Sequence, residues 1–284
     1  MKLSLFRRHF LKMVAALGIA GLAGYVYMRY IEPRWLRQKK VAVKLKGRSL
    51  KAPVRVLHLS DLHLSEEVSL EFITSAVEKG IAHQPDLICV TGDFITRKLF
   101  DNEAYRAVLK RLSKTAPTFC CLGNHDGGKW ATRHFGYRST APIKAFLAQT
   151  GIQCLVNRWA RVEIKGEPIH IIGLGDLWAH QAWPKTAFGG LPDEDATRIV
   201  LAHNPDTKTD LKMYRFELML FGHTHGGQLS LPVIGTPFAP VRDQRFVSGL
   251  KEWEGRLIHI THGIGNVLGL RFNCRPEVSI LDVT

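Results

Sequence analysis

The chain reads as an α/β protein in which two packed sheets are flanked by helices and preceded by an N-terminal apolar helix. Three observations predict this. Short runs rich in Val, Ile, Leu and Phe recur along the body, helical spacing separates the early ones, and a long uncharged run opens the chain. Strands that alternate with helices early and then follow one another closely make two β layers covered by helices.

The leader comes first. Phe6-Arg7-Arg8-His9-Phe10-Leu11-Lys12 precedes sixteen uncharged residues, Met13 to Met28. As a helix that run rises about 24 Å, less than the roughly 30 Å hydrocarbon core of a bilayer, so it suits a signal segment or a short anchor. The paired arginines look like a twin-arginine export signal, with Phe6 where Ser or Thr is usual, and no small-residue cleavage site follows. Residues 1–36 are therefore expected to be a twin-arginine-like signal or an uncleaved membrane anchor, with Tyr25, Tyr27, Tyr30 and Trp35 at the interface. A buried core helix is the alternative, disfavoured because a face-selective polar pattern is missing. More Lys and Arg follow the run than precede it, which favours a cytoplasmic body, whereas the twin arginines favour export. The expectation is a bacterial inner-membrane location with the exported side preferred, and the export machinery as a partner.

Residues 37–53 read as a basic linker and 54–284 as one folded domain. The formal net charge of +14 concentrates at the start, where residues 1–50 hold 12 of the 39 Lys and Arg but one acid, Glu32. Beyond them 27 bases face 24 acids. So balanced a body argues against a broad nucleic-acid footprint, and no specific nucleic-acid partner is expected, while a basic leader suits anionic lipid. The hydrophobic content of 45% supports one large core. Cys89, Cys120 and Cys121 lie in apolar runs and read as small buried hydrophobes.

Along the body, strands are predicted at Val54–Ser60, Asp86–Thr91, Pro117–Leu122, Ile169–Leu174, Arg198–Ala202, Glu217–Phe221, Arg256–Thr261 and Glu277–Val283. Helical spacing covers Glu66–His83 and Asn102–Lys114. Chemistry-bearing residues stand where strands end: Asp61-Leu62-His63, Gly92-Asp93, Gly123-Asn124-His125-Asp126, His203, and Gly222-His223-Thr224-His225-Gly226. Carboxylates, imidazoles and one carboxamide without a thiolate form a mixed oxygen and nitrogen set that suits Mn, Fe, Zn, Ni or Co. Such a set can hold two divalent cations. Asp93 is the candidate bridge, because the two oxygens of a carboxylate can join cations about 3.5–4 Å apart. Each block alone is weak, and Gly-Asn-His-Asp on its own could be a turn. The signal lies in their joint order, each after an apolar run.

That order (D-x-H, G-D, G-N-H-D/E, a lone His, G-H-x-H) resembles the calcineurin-like metallophosphoesterase family over roughly residues 54 to 283. The resemblance implies a four-layer α-β-β-α sandwich, with the site at the mouths of its strands, and makes 54–284 the catalytic domain of a metal-dependent phosphodiesterase. It implies Asp61, His63, Asp93 and His225 at one metal, and Asp93, Asn124, His203 and His223 at the other. His125 is implied to be free of metal, contacting phosphate and protonating the leaving group. The resemblance further implies that bound cations would supply an activated water for in-line attack on phosphorus. The protein phosphatase branch carries G-D-x-x-D-R, whose second carboxylate sits beside the catalytic His. Here the run is Gly92-Asp93-Phe94-Ile95-Thr96-Arg97, and Thr96 cannot supply that carboxylate, which disfavours protein phosphatase activity.

With the membrane leader, the resemblance implies a small-molecule or lipid-linked phosphodiester or pyrophosphate substrate, such as UDP-2,3-diacylglucosamine. A nuclease or phosphomonoesterase using the same site is the alternative, and a non-catalytic scaffold is disfavoured by the complete ligand set. Among other residues, His58, His170 and His259 lie inside strand-like runs and read as core. His262 reads as a cleft-lining candidate, and Arg97 as solvated or, less favoured, a phosphate contact. Trp178, Trp183 and Phe188 on the irregular stretch 177–192 either touch substrate or close the core edge.

Overall fold

The computed structural model describes residues 2–284. Twelve strands form two six-stranded mixed sheets. They are β1 (Arg37–Val43), β2 (Val54–Leu59), β3 (Leu87–Thr91), β4 (Thr118–Cys121), β5 (Gln153–Cys154), β6 (Arg158–Ile164), β7 (Glu167–Gly173), β8 (Thr197–Leu201), β9 (Leu218–Phe221), β10 (Gly249–Trp253), β11 (Arg256–Ile260) and β12 (Glu277–Val283). One sheet runs β1-β12-β2-β3-β4-β5 and the other β10-β11-β9-β8-β7-β6. In the first, β2 to β5 are parallel; in the second, β7, β8, β9 and β11 are.

Period-two alternation sorts the buried side chains into layers. From β2 and β3, Val56, Leu87 and Cys89 enter the core between the sheets, meeting Ile171, Ile199 and Leu218, while Leu57, Ile88 and Val90 face the helices. Those helices are α2 (Leu70–Ile81), α3 (Asn102–Thr115) and, after the short α4 (Lys129–Arg133), α5 (Ala141–Ala148); α2, α3 and α5 bury Ile73, Val77, Leu109, Leu112 and Leu147. Ser69 starts α2 by accepting a hydrogen bond from the Phe72 N–H at 3.3 Å. Over the second sheet the fourth layer is thin: α6 (Pro184–Ala187) and 3₁₀ turns at Pro205–Leu211 and Gln244–Phe246. The predicted sandwich is therefore present, with one helical face much lighter than the other.

The N-terminal helix α1 (Lys2–Val26) continues through a π-helical turn at Tyr27–Ile31 and a 3₁₀ turn at Glu32–Arg34. The stretch Phe6–Arg34 is long and apolar enough to cross a membrane, and its most apolar part is not buried in the body. The buried core helix is thereby set aside. At 25 residues α1 alone rises about 37 Å, so length does not limit it to a marginal segment.

The basic linker at 37–53 needs correction. Residues 37–43 are β1, paired in parallel with β12 from Arg37 opposite Glu277 to Val43 opposite Val283. Arg37 also forms an ion pair with the buried Glu277, and Val43 and Leu45 enter the core. The strand is polar because it lies at the sheet edge, where Lys and Gln keep one row of main-chain groups solvated. The ordered body begins earlier still: Glu32 is fully buried and accepts hydrogen bonds from the N–H groups of Asn273 (3.0 Å) and Cys274 (2.6 Å).

The three strand histidines are core residues, as expected. His58 and His259 meet across the sheet interface, Nδ1 to Nδ1 at 2.9 Å, and His58 Nε2 lies 2.9 Å from Thr91 Oγ1. Burial lowers the His58 pKa to about 3 and that of His259 well below its usual value. His170 bonds Glu194 through Nε2. Cys89, Cys120 and Cys121 are buried.

Candidate metal centre

Parallel strands from both sheets end on the same side, and their carboxyl ends deliver the site, the usual place for one in open α/β sheets. Asp61 and His63 follow β2, Asp93 follows β3, Asn124 and His125 follow β4, His203 follows β8, and His223 and His225 follow β9. All eight are buried. Asp93 Oδ2 lies 3.4 Å from His63 Nε2 and 3.1 Å from His203 Nε2. Asp61 Oδ1 is 3.4 Å from His225 Nε2 and 3.8 Å from His63 Nε2.

Among the described residues, His63 Nε2, His203 Nε2, His223 Nε2 and Asn124 Oδ1 are buried polar atoms with no hydrogen-bond partner. Native interiors rarely leave such atoms unpaired. Four of them converging beside two carboxylates fit divalent cations, and the donor set is of the right chemistry for them. Potential ligand atoms of Asp61, His63 and His225, and of Asp61, Asp93 and His203, lie within 4.8 Å of one another.

The imidazoles are aimed from behind. His203 Nδ1 donates to the Thr91 carbonyl at 2.7 Å and His225 Nδ1 to that of Gly265 at 3.2 Å. A carbonyl can only accept, so the proton sits on Nδ1 and the Nε2 lone pair faces the site. His125 is held in the same way, with Nδ1 on the Thr96 carbonyl at 2.7 Å. The residue whose side chain cannot replace the phosphatase carboxylate thus orients the histidine with its main chain.

Backbone strain concentrates here too. Asp61 (φ 51°), His63 (50°), Asp93 (54°), His223 (69°) and His225 (51°) all occupy the left-handed region. Asp and His enter that region more readily than most residues, at an energetic cost the surrounding fold must hold. Gly123 and Gly222 make room: a Cβ on either would collide with the carboxylate of Asp93 or Asp61.

Burial alone would raise the Asp93 pKa, but His203, His125 and His63 together outweigh it and hold the carboxylate well below its usual range. Burial likewise opposes the His203 cation, yet Asp93, Asp61 and Asp176 raise its pKa well above the usual value, so a divalent cation bound at Nε2 would take the place of a proton there. Burial lifts Asp61 to about 6 and keeps His63 and His223 neutral.

His125 is not set apart by distance. It joins His63 and Asp93 in a third possible ligand group, its ring 4.7 Å from that of His63. A cleft of about 430 Å³ opens over these residues, walled by Trp130 and Trp178. Trp130 lies 4.5 Å from the His125 ring and Trp178 meets the His223 ring edge-on at 4.3 Å. Of the aromatic stretch considered above, only Trp178 reaches the site; Phe188 packs on Tyr214, and Trp183 is exposed and outside the cleft. Arg97 lines the cleft. His262 does not: it is buried beneath Gly226, its Nδ1 3.4 Å from Arg37 Nη2.

Two supports went unrecognised in the sequence. Asp126 accepts from the N–H groups of Asp93 (2.8 Å), Phe94 (2.8 Å) and Gly123 (2.9 Å), tying two ligand loops together. Its place in Gly-Asn-His-Asp was the available signal. Arg271, fully buried, donates to the carbonyls of Gly265 (2.6 Å), Cys274 (2.7 Å) and His262 (2.9 Å), holding the loop that carries the His225 acceptor. No local motif announces it.

The chain is 41% identical to phosphodiesterase YaeI of Escherichia coli, with 98% of each chain covered. It is 30% identical to an uncharacterized metallophosphoesterase, YkuE, of Bacillus subtilis, with 96% of each covered. It is 26% identical to the UDP-2,3-diacylglucosamine pyrophosphatase LpxG of Chlamydia muridarum, over 94% of this chain and 95% of that one. Residues 54–227, which span every block of the buried cluster, match the family described as calcineurin-like phosphoesterase. With the two-sheet fold, the convergent carboxylates and imidazoles and these likenesses together, the chain belongs to the calcineurin-like phosphoesterase family and is a hydrolase of phosphoester bonds.

Proposed function

We propose that the protein is a dinuclear-metal phosphodiesterase whose substrate is a phosphodiester or pyrophosphate, in the lipid-linked case a molecule such as UDP-2,3-diacylglucosamine. In this reading Asp61, His63, Asp93 and His225 hold one cation and Asp93, Asn124, His203 and His223 the other. The observation that carries it is the position of Asp93 Oδ2, a single buried oxygen between His63 Nε2 and His203 Nε2, one from each ligand set. Bound cations would supply Lewis acidity toward the phosphoryl oxygens and an activated water. The chain supplies the rest. His125, pinned through Nδ1, presents Nε2 to the cleft; neutral in the free site, it would take up a proton from solvent at Nε2 as the anionic phosphate binds, donate it in a hydrogen bond to a phosphate oxygen and pass that proton to the leaving oxygen. Trp130 and Trp178 narrow the approach, and Arg97 adds a fixed positive charge at its edge.

The lipid-linked choice draws on the likeness to LpxG and on the apolar N-terminal helix, which we read as a membrane anchor. Full-length protein loaded in turn with Mn, Fe, Zn, Ni or Co is assayed on bis-p-nitrophenyl phosphate, p-nitrophenyl phosphate, single-stranded DNA, RNA and UDP-2,3-diacylglucosamine. Cleavage of the diester and the UDP-lipid, with little on the monoester or nucleic acid, is the expected pattern. Preferential cleavage of DNA or RNA would make it a nuclease, and preference for the monoester would make it a phosphomonoesterase.

A further inference from the structure

The cleft over the metal centre does not end there. Through Thr96, Arg97, Phe135 and Val267 it joins a second cleft of about 540 Å³, which reaches Lys98 and Phe100. That one meets a third, of about 360 Å³, at Glu66 and Glu67, and the third ends on Arg29 and Arg34 at the foot of α1. A groove of adjoining clefts, each sharing wall residues with the next, therefore lies between His125 and the point where the apolar helix leaves the body.

The helix foot is fixed to the rim of this groove. Arg29 Nη1 donates to the Gly269 carbonyl at 3.1 Å and pairs with Glu67 at 2.7 Å, and the Arg271 N–H donates to the Met28 carbonyl at 3.0 Å. Tyr27 meets Phe272 edge-on at 6.4 Å. The same short segment carries Val267 and Leu268 at the mouth of the metal cleft, so no free linker separates helix and mouth.

Large apolar side chains stand exposed around that mouth: Phe135 (78%), Phe238 (67%) and Leu268 (70%). Ile234 (68%) is exposed on a hairpin whose stem bonds Phe272, through Ser230 N–H to its carbonyl at 2.8 Å. Single exposed apolar residues need no explanation, but a cluster at the edge of a functional cleft marks a contact surface. Tyr25, Tyr30 and Trp35 at the helix foot are half-exposed, the residue types that settle at a bilayer interface. Arg34, Arg97, Lys98 and Arg133 intersperse the apolar groups with positive charge suited to anionic headgroups.

We propose that this face is a membrane-docking surface, on which Phe135, Phe238, Ile234 and Leu268 enter the interfacial layer of the bilayer that holds α1, so that the metal cleft opens directly onto lipid headgroups. The occupant is lipid rather than a protein partner because the helix that enters the bilayer is clamped to the rim itself, leaving the mouth no distance to stand off. The proposal rests on reading α1 as an anchor and deepens the lipid-linked substrate reading, by giving a bilayer-borne phosphodiester a route along the groove.

The test uses full-length protein in vesicles of phosphatidylethanolamine and phosphatidylglycerol, with the environment-sensitive fluorophore NBD on Leu268→Cys or Phe238→Cys. Met213→Cys, exposed and lining none of these clefts, serves as the water-facing reference, and Leu17→Cys reports insertion of α1. Unsubstituted protein gives the labelling blank for the native cysteines, and melting temperature checks each variant. Labels at 268 and 238 should shift to the blue and be quenched several-fold more than at 213 by lipids carrying a nitroxide near the headgroup. With Leu17 read against lipids carrying the nitroxide deep in the acyl chain, equal, water-like behaviour at 268, 238 and 213 with Leu17 quenched would overturn docking while leaving the anchor, and an unquenched Leu17 would overturn both. A blue-shifted 268 label that the nitroxide lipids do not quench would indicate burial against a second copy of the chain instead, and would also overturn the proposal. None of these readouts involves hydrolysis, so failure of the phosphodiesterase reading would appear only in the substrate assay.

Discussion

His125 keeps its Nδ1 proton on a peptide carbonyl, so the orientation that a neighbouring carboxylate gives in the protein phosphatase branch here comes from the main chain of Thr96. Burial lowers its pKa, which leaves the imidazole neutral until a phosphate oxygen approaches. If its task is to meet phosphate and protonate the leaving group, His125→Ala should lower turnover by about 10² to 10⁴ with metal content unchanged. Because the ring also lies within ligand distance of His63 and Asp93, loss of a metal ion in that variant would make it a ligand instead. Elemental analysis beside turnover separates the two roles. The eight residues that converge here were legible because each follows a strand and all but the lone His203 belong to a short motif. The Thr96 carbonyl and Arg271 were not, since a main-chain acceptor has no sequence signature and Arg271 acts through carbonyls rather than a charged partner.

The same division holds for the strands. β2, β3, β4, β7, β8, β9, β11 and β12 were all predicted from their apolar runs; these are the inner strands, buried on both faces, which makes them nearly continuous in Val, Ile and Leu. β1, β5, β6 and β10 escaped, and they are the four edges of the two sheets. Arg37–Val43 and Arg158–Ile164 mix charged and apolar residues because an edge must resist pairing with other chains, and Gln153–Cys154 is only two residues long. At the sheet interface, the His58–His259 pair should make stability depend on pH. Both folded-state pKa values are depressed, to about 3 for His58, against an unfolded value near 6.5. The unfolded chain therefore takes up protons first, so their contribution is complete above pH 6.5 and is lost as pH falls toward 3, at up to about 1.4 kcal/mol per pH unit for each histidine. Thermal denaturation between pH 7 and 4.5 should show a shallower slope in His58→Leu/His259→Leu than in the wild type; an unchanged slope would mean that other groups dominate.

Considered as a whole, the molecule has its catalytic body closed by a segment that lies before the motif-bearing region. Glu32 and β1 belong to the body, whereas α1 up to Val26 stands clear of it. Full-length protein should fractionate with membranes. A chain starting at Tyr27 should be released in soluble form with its melting temperature nearly unchanged, while one starting at Lys51 should be strongly destabilised. Loss of the Glu32 carboxylate alone leaves two main-chain donors unpaired, at about 1–3 kcal/mol each. Equal stability of the two truncations would show that β1 is dispensable to the fold.

Metal stoichiometry tests the shared carboxylate most directly. Wild-type protein saturated with Mn and freed of loosely bound ions should carry about two ions per chain by elemental analysis, as a dinuclear centre requires. Asp93→Ala, with circular dichroism matching the wild type, should fall toward none, because the carboxylate that stands nearer than Asp61 to both His63 and His203 is gone. Two ions retained in Asp93→Ala, or a single ion in the wild type, would contradict the bridged centre.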